Sequence, residues 1–214
     1  MIRNFFLLDI VSDFRKLSSI AGLILFIGIS AYLVRLSFPS SSPDLSSWNA
    51  IYWIILTFAA LGAASRLRMS HEQRIFILTL ASPRAFILAR MLYNTVILIS
   101  TAFLLFLLFY YFFPLPEIKI EIFLLTALAG SCGLSAVLTF SEALSSLGGG
   151  SFVLSAVIGI PLCIPLLVAC SSTGYLALNG QTSQFASAQI LLIFLISLSA
   201  AAMSALLYPF LCKD

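Results

Sequence analysis

Charge and histidine are what this 214-residue sequence has least of: charged side chains make up 9% and His71 is its single histidine. With 61% hydrophobic residues, a soluble fold would lack the polar surface needed to cover itself, so the composition predicts one integral membrane domain spanning residues 1–214. The stretches between apolar segments are too short for a separate soluble catalytic domain, which must come from a partner. The phosphate-cradling pattern G-x-x-x-x-G-K-[ST] is absent, so any ATP hydrolysis belongs to another subunit and the chain is not itself an enzyme. His71-Glu72 lacks the second histidine of H-E-x-x-H, because position 75 is Ile75. With no acidic cluster in the apolar segments and no nucleophile–base pair, neither a metal site nor an intramembrane catalytic site is expected. The four cysteines, Cys132, Cys163, Cys170 and Cys212, include no C-x-x-C-H for covalent haem attachment. Cys163 and Cys170 stand ~10 Å apart along one helix, beyond the ~7 Å limit for bridging, and read as small packing residues.

Long apolar runs are abundant. Six can be drawn, approximately Leu17–Val34, Asn49–Ala64, Met91–Phe113, Ile122–Phe140, Ser151–Cys170 and Ala188–Tyr208. Each suffices, or nearly so, to cross ~30 Å of hydrocarbon at ~1.5 Å per residue. This threading places Arg3, Arg15, Lys16, Arg66, Arg68, Arg74, Arg84, Arg90 and Lys213 on one side, and only Arg35 and Lys119 on the other. The positive-inside rule then predicts both termini in the cytoplasm. The net charge of +3 is explained by topology and leaves no nucleic-acid-binding patch. The opening Met1–Lys16 carries acids as well as bases, unlike a secretory signal, and is expected to be retained.

Leu7, Ile10, Val11 and Phe14 share one helical face, and Asp9, Ser12, Asp13 and Lys16 the opposite one, which predicts an amphipathic helix lying on the cytoplasmic membrane surface. Ser65–Arg90 holds five of the eleven basic residues. Within it, Ser82-Pro83 marks a helix start, with Ser82 as cap and Pro83 at the first helical position. The residues before it, His71, Glu72, Gln73 and Arg74, read either as a solvated loop or as a contact for a partner. Gly148, Gly149 and Gly150 read as a tight turn between spans four and five, with a moving hinge as the alternative. Pro161 and Pro165 each remove a backbone donor from span five, predicting a kink or local unwinding and a place inside the bundle where the freed carbonyls are satisfied. Ser197, Ser199, Ala200, Ala201, Ala202 and Ser204 give span six a small-residue face suited to close helix contact, including contact with a second copy of the chain. Glu142 is expected to remain in water at the end of span four. Trp48 and Trp53 are expected in an interfacial aromatic belt, with Leu36–Trp48 and Ser171–Gln189 as Ser-rich outer segments.

Two stretches resemble a known family. The run Arg74-Ile75-Phe76-Ile77-Leu78-Thr79-Leu80-Ala81-Ser82-Pro83, followed by Ile87-Leu88-Ala89-Arg90-Met91-Leu92-Tyr93-Asn94, resembles the segment between spans two and three of the CcmB family. Gly148-Gly149-Gly150-Ser151, Val153-Leu154-Ser155 and Ile160-Pro161-Leu162-Cys163-Ile164-Pro165-Leu166-Leu167 resemble its glycine-rich turn and two-proline span. Many members carry an acidic run ending in Asp-Gly-Ser-Leu-Glu before the apolar part of the loop, where this chain reads Met69-Ser70-His71-Glu72-Gln73-Arg74.

The resemblance implies an all-α permease of ABC-2 exporter type in a bacterial inner membrane. Its six spans would be joined by an N-terminal interfacial helix and a cytoplasmic coupling helix between spans two and three. It implies work in c-type cytochrome biogenesis, as haem export or ATP-driven release of a haem-loaded chaperone. It also implies a CcmA-like cytoplasmic ATPase, CcmC-like and CcmD-like haem-handling membrane subunits, and a paired permease. Haem would be a transported or handled ligand, and no residue here argues for a bound cofactor. The competing expectation is a general ABC-2 exporter of a lipid, drug or saccharide with the same six-span plan.

Overall fold

The computed structural model describes residues 17–38, 43–66, 83–113, 119–145, 152–180 and 184–211. Six helices occupy them: α1 Leu17–Ser37, α2 Leu45–Arg66, α3 Pro83–Phe112, α4 Ile120–Ser145, α5 Phe152–Leu178 and α6 Gln184–Leu211. No strand occurs among the described residues. Five of the helices, α2 to α6, are long and apolar enough to cross a membrane, while α1 contributes the shorter apolar stretch Ala21–Ser37. The amphipathic helix expected over residues 1–16 lies outside the described residues.

Most helices outrun the apolar segments that announce them. α3 begins at Pro83, eight residues before the expected span and at the proline that presets the first helical turn. α5 continues to Leu178, so residues 171–178, expected in an outer segment, are helical instead. Their polar side chains are accommodated within the bundle: the Thr173 hydroxyl donates to the Ala169 carbonyl at 2.8 Å and lies 3.0 Å from Gln189 Oε1 on α6. Asp44 precedes α2 and accepts from the Ser47 backbone N–H at 3.4 Å. Hydrogen bonding from Ser47, its side chain first, holds the Asp44 carboxyl below the ordinary carboxylate range.

Successive helices from α1 to α6 alternate in direction. Phe86 near the start of α3 meets Tyr208 near the end of α6, Gly159 of α5 meets Ser141 of α4, and Lys119 before α4 donates its backbone N–H to Ala177 of α5 at 3.0 Å. The bundle therefore has a Pro83 end and a Trp48 end. Arg84 and Arg90 stand toward the first, and Arg35 and Lys119 toward the second, the division that the charge pattern anticipates.

α4 is the central column, packing against α2, α3, α5 and α6. Two-thirds of its apolar window (67%) is buried, against 17% for the peripheral α6. Lipid tails are as apolar as leucine, so helices gain from close packing and hydrogen bonds more than from burial itself, and small residues permit the closest approach. Gly130 and Gly133 provide it. A Cβ on Gly130 would lie 2.9 Å from the Trp53 ring and from Cys170 Sγ, and one on Gly133 would lie 2.7 Å from Leu166 Cδ1 and Ser197 Oγ.

Trp48 and Trp53 depart from the interfacial belt expected of them. Trp48 is fully buried and Trp53 nearly so, inside an aromatic cluster built by α2, α3 and α4. Trp48 stacks on Tyr52 at 5.7 Å and meets Phe109 and Phe123 edge-on at 5.3 and 5.4 Å. The Trp53 indole N–H donates to Asn49 Oδ1 at 3.0 Å, and the Asn49 amide donates to the Ser171 carbonyl at 2.7 Å. The Trp53 indole thus finds its polar partner on its own helix, while the Trp48 indole nitrogen is buried with no hydrogen-bond partner among the described residues, held by its ring contacts alone.

Replacing Gly130 by leucine should lower the stability of the purified protein by about 1–3 kcal/mol, because the rigid Trp53 indole cannot yield cheaply. Gly28→Leu is the matched control, since nothing lies within 4 Å of a Cβ there. Thermal melting in detergent checks the pair, with the loss expected for Gly130→Leu alone.

Candidate functional site

The residues singled out by sequence divide between described and undescribed positions. His71, Glu72, Gln73 and Arg74, and Gly148, Gly149 and Gly150, all lie outside the described residues. The helix ends that flank these two segments, Arg66 and Pro83, Ser145 and Phe152, share the Pro83 end of the bundle.

Pro161 and Pro165 are described, and they overturn the expectation that their segment turns inward. Both are exposed, on the outer face of α5 with Val157, Ile160, Ile164 and Val168, while Cys163 and Leu166 face the bundle. Of the expected kink or local unwinding, the unwinding does not occur, since α5 is helical through both prolines from Phe152 to Leu178. An outward proline ring meets no packed neighbour, and the helix on either side carries it.

Inside the Pro83 end, α3 and α4 are joined by polar contacts within the apolar bundle. The Asn94 amide donates to Thr139 Oγ1 at 3.1 Å, and the Ser135 hydroxyl donates to the Met91 carbonyl at 2.9 Å. All four residues are buried. Other hydroxyls, including Thr95, Ser141, Ser197 and Ser204, donate to carbonyls four residues earlier in their own helices and so cost little in lipid. Among the sequence expectations, the inward small face of α6 holds in part: Ser197 and Ser204 are buried, while Ser199 and Ala202 are exposed. Glu142 differs from its expected place in water. It is partly buried, with Oε1 sealed from solvent, because its turn of α4 lies inside the bundle. Cys163 and Cys170 are free and buried, as packing residues should be.

Arg90 escaped the sequence reading because the positive-inside rule already accounted for it. Its neighbour Arg84 is exposed, but Arg90 is only 7% exposed. Its guanidinium lies 5.7 Å from the Phe86 ring centroid, and Phe86 in turn packs on Tyr208 of α6 at 6.0 Å. No ion pair holds Arg90 among the described residues. Asn94 one turn on is equally legible in retrospect, as a lone amide inside an apolar run.

Among the described residues no group of three His, Cys, Asp or Glu is placed to hold a metal. Residues 1–212 match the family described as CcmB protein. The chain belongs to the CcmB family. Among curated proteins, none matches it. CcmB proteins are the membrane subunit of the haem exporter ABC transporter of cytochrome c maturation, working with an ABC ATPase and other Ccm components. As a CcmB protein, this chain is a permease subunit and not itself a catalytic enzyme. Its apolar helices fit a multi-pass protein of the inner membrane.

Because the two prolines point outward, Pro161→Ala and Pro165→Ala should leave thermal stability in detergent unchanged or raise it, each restoring a backbone hydrogen bond without disturbing packing. Asn94→Leu should instead lower it by about 0.5–2 kcal/mol through loss of the contact to Thr139. The same melting curves check both, and a marked loss from either proline replacement would place those rings in a packed interface.

Proposed function

We propose that this CcmB-family permease spans the membrane six times with both termini in the cytoplasm, and that it receives the stroke of a separate, CcmA-like ATPase through its loop between α2 and α3. His71, Glu72, Gln73 and Arg74 are the contact, on a short helix that runs toward Pro83. A stiff element directly before a long membrane helix carries force, where a slack loop would absorb it. The observation that supports this reading is the position of α3. It starts at Pro83 and is tied to the central column α4 by Asn94–Thr139 and Ser135–Met91, so a push on its first turn reaches the bundle core. Gly148, Gly149 and Gly150 join α4 to α5 at the same end and serve as a tight turn that lets the column follow.

The permease works as a homodimer over paired ATPases, beside CcmC-like and CcmD-like haem-handling subunits. Haem is its handled ligand, delivered outward or released outside as a haem-loaded chaperone. α1 is the first of the six spans, its apolar stretch Ala21–Ser37 reaching the outer headgroup region near Arg35.

Replacing Glu72–Ile77 by glycine and serine should leave membrane insertion intact while disconnecting ATP hydrolysis from cytochrome maturation. ATP turnover by the purified complex, compared with covalent haem staining of cellular c-type cytochromes, checks this. Persisting hydrolysis with staining reduced to the level of cells lacking the gene is the expected result. Normal staining would remove these residues from the coupling path.

A further inference from the structure

Arg90 presents an electrostatic problem that topology alone does not solve. Its guanidinium is always charged, and a buried charge without a counter-charge costs several kcal/mol even after relaxation. A guanidinium that served only the positive-inside rule would reach the headgroups, as the exposed Arg84 does on the same helix. Arg90 instead points into the bundle. The lipid-exposed residues nearest it in sequence, Leu92 and Val96, are rotated ~200° and ~240° from it at ~100° per residue. It is buried on the face shared by Phe86 and Asn94.

The remaining question is what anion reaches it. Described carboxylates do not: Asp44 and Glu121 are at the Trp48 end, and Glu142 makes no ion pair with it. A lipid phosphate would approach from the opposite face of α3. The guanidinium nitrogens are not sealed, unlike Asn94 Oδ1 and Glu142 Oε1. Beside them lie the Phe86 and Tyr208 rings, an aromatic pair whose planes differ by 31°. An anionic group and a flat apolar body side by side describe an amphipathic aromatic carboxylate. The handled ligand of this family fits, since haem is a planar macrocycle whose negative groups are its two propionates.

We propose that Arg90 is a substrate-binding residue at the Pro83 end, pairing with a haem propionate while Phe86 and Tyr208 flank the macrocycle edge. The inference rests on haem being the handled ligand. The guanidinium fork matches a carboxylate bidentately, and a charge-assisted pair away from bulk water is among the stronger hydrogen-bonded contacts. Cation–π contact with Phe86 holds the side chain in place before the ligand arrives.

Titration of the purified membrane complex with haem and with haem dimethyl ester, whose propionates carry no charge, tests this. Esterification should weaken binding to the wild type by about tenfold or more. In Arg90→Gln the two ligands should bind alike, in Arg90→Lys part of the preference should remain, and in Arg84→Gln it should be unchanged. Equal affinity of the wild type for haem and its ester, or the same preference in Arg90→Gln as in wild type, would overturn the proposal. The wild-type comparison stands even where Arg90→Gln does not fold. Rescue of haem-stained cytochromes by the wild-type gene tests the maturation role separately, so failure of that role and failure of the Arg90 site are distinguishable.

Discussion

The approach of α4 to its neighbours through Gly130 and Gly133 is the constraint on which the other contacts depend. In lipid, burying one apolar surface against another gains little over leaving it in hydrocarbon. The bundle is held instead by short-range packing and by polar groups that find partners in the adjacent helix. Glycine at these two positions lets the Trp53 ring, Cys170, Leu166 and Ser197 come against the α4 backbone. Once α4 is central, Ser135 and Thr139 reach α3 and Phe123 enters the aromatic cluster.

The two ends of the bundle are built differently. At the Trp48 end, large aromatic rings fill the space among α2, α3 and α4, and Asn49 ties α2 to α5 through Ser171. Such a cluster is dense and offers little freedom. Among the described residues, the Pro83 end includes the Asn94–Thr139 hydrogen bond, the Phe86–Tyr208 ring pair and the buried Arg90.

Much of this was legible in the sequence, and the failures have a common origin. Periodicity is uninformative in helices that are apolar all round, so segments could be placed but their faces could not. Pro83 as a helix start was readable, because its fixed backbone angle and missing donor suit one position only. Pro161 and Pro165 were read as inward on the sound ground that lipid cannot satisfy a freed carbonyl, yet the rings face outward on a helix that continues through them. Trp48 and Trp53 lie near a segment edge, where an interfacial belt is the ordinary expectation, and only the packing of α3 and α4 around them shows why they are buried. The helix ends beyond the apolar runs were missed because Ser171, Ser172 and Thr173 look like loop residues until their neighbours are known. The loop and glycine residues stood out by charge and backbone freedom as well as by resemblance, and they lie outside the described residues.

The central claim is that this CcmB-family protein is the membrane subunit on which cytochrome c maturation depends. Covalent haem staining of membrane and periplasmic proteins from cells lacking the gene, beside the same cells with it restored, tests that most directly. The account predicts that stained c-type cytochromes disappear in the first and return in the second. Unchanged staining without the gene, in cells that hold no other maturation system, would contradict it.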